Sequence, residues 1–374
     1  MIGGVQHHRR FMRKDAGAAF SCLIGMIALL ALHAPVRAED SLLSRFAFGS
    51  CARQDQPQPI WDAIIEAQPD RFIFLGDNIY ADTDEMDVMR QKYELLGNQP
   101  GYQKLKQTCA VLATWDDHDY GRDDAGVEYP KKRESQQIFL DFFDVPQDSP
   151  RREREGVYHA EIHGPPGRRV QIILLDTRYH RSPLVRGFDP REPGEGWRGR
   201  YLPGTDPAAT VLGQEQWAWL EEQLRQPAEV RIICSSIQVI ANDHGWEKWG
   251  NFPDERERLL RLIAETSANG VVFISGDRHF SEISRIEPAD SGANYPLFDI
   301  TSSSLNAPSG NITKAGTRFV NELNAHRVGL VYFDTNFGFI DIDWTQDDPV
   351  LRLQVRDQAG GVVLQHRMRL SELR

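Results

Sequence analysis

The sequence predicts an α/β fold: two mixed β-sheets packed face to face, flanked by helices, in one domain covering residues 39–374. Three observations carry this. Apolar runs of strand length alternate with segments of helical period as far as His279. Beyond His279 the pattern becomes strand-rich with little helix, which supplies material for a second sheet. No Gly/Ser-rich or Pro-rich linker divides residues 39–374, and there is no internal repeat or low-complexity tract.

The chain opens on a segment that reads as a targeting signal. His7–Lys14 is basic, Ala16–Leu32 is a mostly apolar, uncharged run, and Val36-Arg37-Ala38 offers a cleavage site after Ala38. This is the order of a secretory signal peptide over residues 1–38. The apolar run sits at the short limit for spanning a bilayer, so an uncleaved anchor is the rival reading. Arg9-Arg10-Phe11 only loosely resembles a twin-arginine signal. The expectation is an exported protein, periplasmic or secreted, with no stable membrane association once the signal is cleaved.

The elements then follow in order. Residues 44–51 read as a strand ending in a tight turn. Pro57–Gln68 forms a helix with an apolar stripe at Ile60, Trp61, Ile64 and Ile65. Residues 71–77 are a buried strand that stops at Gly76-Asp77, because a continuous apolar run suits a strand covered on both faces. Helices are expected over 84–96 and 102–106, a strand over 109–119 and a helix over 134–143. Two neighbouring strands occupy 156–162 and 169–176. Residues 177–210, rich in Pro, Gly and Arg, form a long loop of the kind that often serves a functional site. Helix 212–225, strand 230–240, helix 253–267 and strand 270–276 complete the alternating part. Strands at 282–287, 296–301, 328–334, 337–344, 349–356 and 361–368 make up the rest.

Composition narrows the function. The 374 residues carry 43 Lys+Arg against 54 Asp+Glu, a net charge of −11, with 40% hydrophobic residues. That is ordinary globular composition, and it argues against a disordered chain or a fibre. Cleavage after Ala38 removes five basic residues (Arg9, Arg10, Arg13, Lys14, Arg37) and one acid (Asp15). It leaves 38 basic against 53 acidic side chains, a net charge of −15. Such a surface argues against a nucleic-acid partner, which requires basic surface. A small phosphate ester stays open as substrate, because metal ions supply positive charge locally. Three cysteines remain, Cys51, Cys109 and Cys234. A Cys109–Cys234 disulfide with a metal-bound Cys51 would account for the odd number.

Four strand ends deliver polar residues where the apolar run stops: Gly49-Ser50-Cys51, Gly76-Asp77-Asn78-Ile79-Tyr80, Asp116-Asp117-His118-Asp119 and Gly276-Asp277-Arg278-His279. Ligands of open α/β sheets bind beyond the carboxyl ends of the strands, so these tips can converge on one site. They offer a thiolate, carboxylates, a phenol and two imidazoles, a donor set for two or more metal ions. Neither a G-x-x-x-x-G-K-[ST] loop nor a G-x-G-x-x-G fingerprint is present.

The series FGSC, FLGDNIYAD, TWDDHDYG, LLDTRYHR and ISGDRHF resembles the motifs of the alkaline phosphatase D (PhoD-like) family of the calcineurin-like metallophosphoesterase superfamily, from about residue 45 to about residue 345. The resemblance implies a four-layer α/β/β/α metallophosphoesterase sandwich. It implies a metal-dependent phosphomonoesterase or phosphodiesterase, holding iron(III) with calcium; manganese and zinc are the alternatives. The chain departs from the wider superfamily: Cys51 replaces the first ligand pair, Tyr80 follows the acid, Asp117 takes an Asn place and Asp277 a His place. On the residues matched, Cys51, Asp77, Tyr80, Asp116, Asp117, Asp277 and His279 are the expected metal ligands, with Asp77 bridging. His118 matches the histidine that protonates the leaving oxygen, and Arg178 either clamps a phosphate oxygen or anchors the long loop.

Weighed by chemistry alone, several of these side chains have blander roles. A lone Cys is commonly a small buried hydrophobe, an Asp after a strand a turn former, a Tyr a packing residue. Asp116 and Asp117 are adjacent, so on an extended strand they face opposite ways and one of them is a direct ligand, unless a bulge brings both in. Arg278 is expected to point away, toward solvent or a neighbouring acid. Ser236 and Gln238 are assigned structural roles near the site, and His180, His244, Trp246 and Trp249 are placed at its entrance. The rival functions are a phospholipase-type phosphodiesterase of the same fold, a Cys51–His118 nucleophilic enzyme, and a non-catalytic exported protein that binds calcium. Carboxylates around Cys51 disfavour the thiol nucleophile, because they raise a thiol pKa in the absence of a metal.

Overall fold

The computed structural model describes residues 41–187, 199–310, 319 and 322–374. The signal segment and part of the long loop lie outside the described residues. In chain order the elements are β1 (Arg45–Gly49), α1 (Ile60–Glu66), β2 (Arg71–Leu75), α2 (Met86–Gly97), α3 (Pro100–Thr108), β3 (Ala110–Thr114), α4 (Asp117–Tyr120), α5 (Lys132–Phe142), β4 (His159–His163), β5 (Val170–Leu174), β6 (Val185–Arg186) and β7 (Tyr201–Leu202). Then come α6 (Gly213–Leu224), β8 (Val230–Cys234), α7 (Pro253–Glu265), β9 (Val271–Ser275), β10 (Ser281–Ile286), α8 (Pro288–Ser291), β11 (Leu297–Ser302), β12 (Asn336–Asp343), β13 (Val350–Asp357) and β14 (Val362–Arg369).

One sheet runs β14-β13-β12-β1-β2-β3 and the other β10-β11-β9-β8-β5-β4, with β6 and β7 as a separate ribbon. In the first sheet β1, β2 and β3 are parallel, and in the second β5, β8, β9 and β11 are parallel. Alternation of side chains along a strand builds the layers. Phe46 and Phe48 of β1, with Ile73 and Leu75 of β2, enter the cluster shared with the second sheet. The intervening Ala47, Phe72 and Phe74 face outward, into a cluster with Trp61, Tyr93, Tyr102 and Phe139 of the first helices. Trp217 and Leu220 of α6, with Leu259 and Ile263 of α7, cover the second sheet. The strands β5, β8 and β9 are buried at every residue, as strands between two layers must be, whereas the edge strand β14 is largely open to solvent. The result is the helix–sheet–sheet–helix sandwich expected from the sequence.

Four expectations need correction. The strand at 109–119 stops at Thr114, and the chain turns into α4 at Asp117. The strand at 230–240 stops at Cys234, where the Ser235 hydroxyl bonds to the Ile237 carbonyl and turns the chain. Residues 328–334 form no strand; the chain meets β10 at single bridges, Ser284 with Arg327 just before this segment and Ser281 with Tyr332 within it, and Gly329 between them takes φ +84°. The three described cysteines are all free, so the Cys109–Cys234 disulfide is not formed. Among the described residues no helix is long and apolar enough to cross a membrane.

The carboxyl ends of the parallel strands meet. Thr114 Oγ1 donates to the Leu175 carbonyl at 2.6 Å, joining β3 to β5 across the sandwich. A Cβ on Gly276 would lie 2.5 Å from Ser50 Oγ, and one on Gly76 would lie 2.3 Å from Asp116 Cβ. Gly76 also holds φ +94°, in the left-handed region. Gly76→Ala is therefore expected to lower stability by at least about 2 kcal/mol, through overpacking and backbone strain together. Urea unfolding at unchanged m-value checks this, and a loss below about 0.5 kcal/mol would contradict it.

Candidate metal centre

The turns that follow these strands carry the site. Cys51, Asp77, Asp277 and His279 all hold positive φ, at 58°, 50°, 69° and 56°. L-residues adopt that conformation at a cost, and it persists where surrounding structure imposes it. Here the imposing contacts are visible. Asp119, fully buried on α4, accepts from the backbone N–H groups of Asp77 (3.1 Å) and Asp116 (2.7 Å) and from Asn78 Nδ2 (2.6 Å). Ser303, just past β11, accepts from the His279 backbone N–H at 2.7 Å and lies 3.2 Å from Cys51 Sγ.

Ligand atoms gather in overlapping groups, each within 4.8 Å. Cys51, Asp77 and His279 form one; Asp77, Asp117 and His118 a second; Asp116, Asp117 and Asp277 a third. Asp77 links the first two groups, the position expected of a bridging carboxylate, and Asp117 links the second to the third. Tyr80 joins through its hydroxyl, which donates to Asp77 Oδ2 at 3.3 Å. The seven predicted ligands are thus in one place. Asp116 and Asp117 both reach it, because β3 has ended at Thr114 and the chain passes from an extended Asp116 into α4 at Asp117. A fourth group, Asp117 with Asp123 and Asp124, sits at the rim, where Arg200 pairs with both of the latter at 3.1 Å.

The donors suit cations. Asp77 Oδ1, Asp116 Oδ2 and Asp117 Oδ1 are buried without a hydrogen-bond partner. Buried carboxylate oxygens are normally satisfied, so three orphans converging on one centre call for positive charge. His279 adds a neutral donor: its Nδ1 faces the Ala307 carbonyl, which only accepts, so the proton sits on Nδ1 and the Nε2 lone pair is left for a metal. The thiolate, phenolate and imidazole side suits a transition metal, and the Asp116–Asp117–Asp277 side a hard cation.

Electrostatics point the same way. Burial raises Asp77 and Asp277 well above the usual carboxylate range, and nearby anionic groups add to the effect. Burial likewise raises the Cys51 thiol and the Tyr80 phenol. Asp116 is pushed up to about 6 by burial, which Arg178 and Ser236 only partly offset. Asp117 goes the other way: burial would raise it, but His118 and Arg178 outweigh burial and hold it low. On Asp77, Asp277, Cys51 and Tyr80 protons thus bind tightly where a cation would replace them.

His118 lies against Tyr80 with the rings tilted by 35° and their centroids 4.4 Å apart, and its Nδ1 meets Asp82 Oδ1 at 2.7 Å. Asp82 was not singled out from sequence. Arg178 is fully buried. Its Nε donates to Asp116 Oδ1 at 2.7 Å, a second nitrogen joins the same oxygen, and the third pairs with Glu247 at 2.7 Å. Glu247 also pairs with Arg181 at 2.9 Å. The guanidinium is consumed by these acids, which corrects the expectation of a phosphate clamp: Arg178 positions Asp116. Arg278 does turn to a neighbouring acid, Glu322, at 2.6 and 2.7 Å. Ser236 donates to Asp116, whereas Gln238 turns away to Glu282 and Thr301.

The entrance assignment fails for two residues. His244 is fully buried against Gln238, and Trp249 is a core residue that donates to Ser235 Oγ. Trp246 is half-buried beside Phe319, and His180 pairs with Glu155 at 3.4 Å. Asp119, Ser303 and Glu247 escaped sequence reasoning. Asp119 had a signal, since an acid three residues after Asp116 suits capping of a following turn; the others meet the site only through folding.

A family model described as PhoD-like phosphatase matches residues 46–352. Alkaline phosphatase D of Bacillus subtilis (strain 168) is 23% identical over 260 residues, which cover 60% of this chain and 41% of that protein. The chain thus spans about two-fifths of the length of this curated relative. Among solved structures, that of PhoD superposes with a TM-score of 0.64 at 18% identity, covering 89% of this chain and 73% of that one. It shares the fold. A dimetal phosphatase from Danio rerio gives a TM-score of 0.47 at 13% identity, over 88% of this chain and 100% of that one.

Burial disfavours a charged His118, but the charges of Asp117, Asp77 and Asp82 outweigh it and push the imidazole up to about 12. The sign follows: His118 stabilises the metal-free fold fully below about pH 6.5, and the contribution is lost as pH rises toward 12. NMR titration of the chelator-treated protein should find this ring protonated through pH 9. Added cation should draw the pKa down, because it neutralises the same carboxylates. A His118 that titrates near 6.5 without metal would refute this account.

Proposed function

The chain belongs to the PhoD-like phosphatase family, and from that premise we propose that it is an exported, metal-dependent phosphoesterase. The observation that carries this is the set of orphaned carboxylate oxygens on Asp77, Asp116 and Asp117, gathered with Cys51, Tyr80, Asp277 and His279 at one end of the sandwich. Cys51, Asp77, Tyr80 and His279 would hold iron(III), a transition metal suited to thiolate, phenolate and imidazole donors, and Asp116, Asp117 and Asp277 would hold calcium, suited to carboxylate oxygens. Bound cations supply the charge that draws in phosphoryl oxygens and the acidity that activates water.

The chain's own residues do the rest. Asp77 and Asp117 hold the two halves of the site in register. His118, half-buried and with its Nδ1 held by Asp82, donates its other ring proton to the departing oxygen. Asp82 keeps Nδ1 engaged and leaves Nε2 as the acid. Arg178, fixed by Glu247, keeps Asp116 oriented. No covalent phosphoenzyme is needed. The substrate is a small phosphate ester, monoester or diester, and a periplasmic or secreted location follows from the basic, apolar and small-residue order of residues 1–38.

Metal analysis of the purified protein, paired with p-nitrophenyl phosphate and bis-p-nitrophenyl phosphate assays, tests the reading. Iron with calcium and chelator-sensitive turnover are expected, and the ratio of the two rates assigns monoesterase or diesterase. Asp77→Asn should lose metal and activity together. His118→Ala should keep its metal and lose about 10²–10⁴-fold in rate; full activity on a poor leaving group would remove His118 as the acid. A phenolate on iron(III) absorbs visible light, so the iron-loaded protein should be coloured and Tyr80→Phe should bleach it. A colourless, iron-replete protein would remove Tyr80 from the ligand set.

A further inference from the structure

We propose that Arg53 is a substrate-binding residue whose guanidinium grips a non-bridging phosphoryl oxygen at the mouth of the site. This rests on the phosphoesterase reading above. Arg53 lies two residues beyond Cys51 and is exposed, while Ala52 and Gln54 on either side are buried. Its backbone is clamped. The Arg53 N–H donates to Asn306 Oδ1 at 2.6 Å, and its carbonyl accepts from Asn306 Nδ2 at 2.9 Å and Gln58 Nε2 at 3.0 Å. The next residue fixes the loop to Tyr80, whose N–H donates to Gln54 Oε1 at 2.9 Å.

From this fixed base the guanidinium carbon lies 4.6 Å from the centroid of the Tyr80 ring. The same ring touches both halves of the chemistry, through its hydroxyl near Asp77 and its tilted contact with His118. One aromatic ring therefore separates the Arg53 cation from a bridging carboxylate and from the general acid.

The other arginines around the centre are matched to carboxylates: Arg178 to Asp116 and Glu247, Arg278 to Glu322, Arg122 to Asp84, Arg200 to Asp123 and Asp124. Among the described residues the Arg53 guanidinium has no carboxylate and no hydrogen-bond acceptor. With the guanidinium carbon over the ring and no acceptor beside it, its N–H groups are open to a bidentate grip on an oxyanion. An anionic ester approaching so acidic a site needs such a cation at its rim. Tyr80 then serves twice, as an expected metal ligand and as the platform for the substrate's guide.

The test uses the full chain, metal-loaded, with inorganic phosphate as the probe. Arg53→Ala should weaken phosphate binding by calorimetry, and raise KM for p-nitrophenyl phosphate, by about 10–100-fold at unchanged metal content. Arg53→Lys should recover part of the loss, since it restores charge without the fork. Wild-type phosphate affinity and KM in Arg53→Ala would overturn the inference while leaving the phosphoesterase reading intact, as would losses that merely track lost metal. A wild-type protein that neither hydrolyses esters nor binds phosphate would remove that reading, and this inference with it.

Discussion

The structure depends on one electrostatic constraint: several carboxylates are buried together at the meeting point of two sheets, with too few protein cations to balance them. Asp77, Asp116, Asp117 and Asp277 lie within ligand distance of one another in overlapping groups, and among the described residues the bases that reach into them are Arg178 and His118. Burying carboxylates without partners is costly. Protons meet part of the charge, which is why burial lifts Asp77 and Asp277 so far. Metal ions meet it better, and the orphaned oxygens face where they would sit.

The fold bears the cost of building this centre. Four candidate ligands hold left-handed backbone, and each sits in a turn leaving a fully packed strand. The sandwich around β1, β2 and β9 acts as the vice, with apolar residues on both faces of those strands. Asp119 and Ser303 then pin the turns from within. An outer tier, Arg178 with Glu247 and Arg181, steadies Asp116 through buried ion pairs whose value lies in geometry more than in net stability.

Much of this was legible before folding. A run such as FIFLGD shows a buried strand and the polar tip at its end in the same few residues, because burial on both faces demands unbroken apolar sequence and the first charge marks the exit. The fate of Asp116 and Asp117 was not legible. Their facing depends on where β3 stops, and that is decided by Asp119 capping the turn and by the close approach of Gly76. The roles of His244 and Trp249 were misjudged for a similar reason: polar and aromatic residues near a motif in sequence can be swallowed by the core when the strand before them ends early.

Local sequence was enough for the layered architecture and for the polar residues that follow its apolar runs, because hydrophobic period acts over a few residues. Folding alone settled which tips coincide and which acids stay unpaired. It also settled that Arg178 is spent on Asp116 and Glu247 while Arg53 stands open over Tyr80. Those facts depend on contacts between residues as much as 253 positions apart, such as Arg53 with Asn306, and short-range pattern holds no information about them.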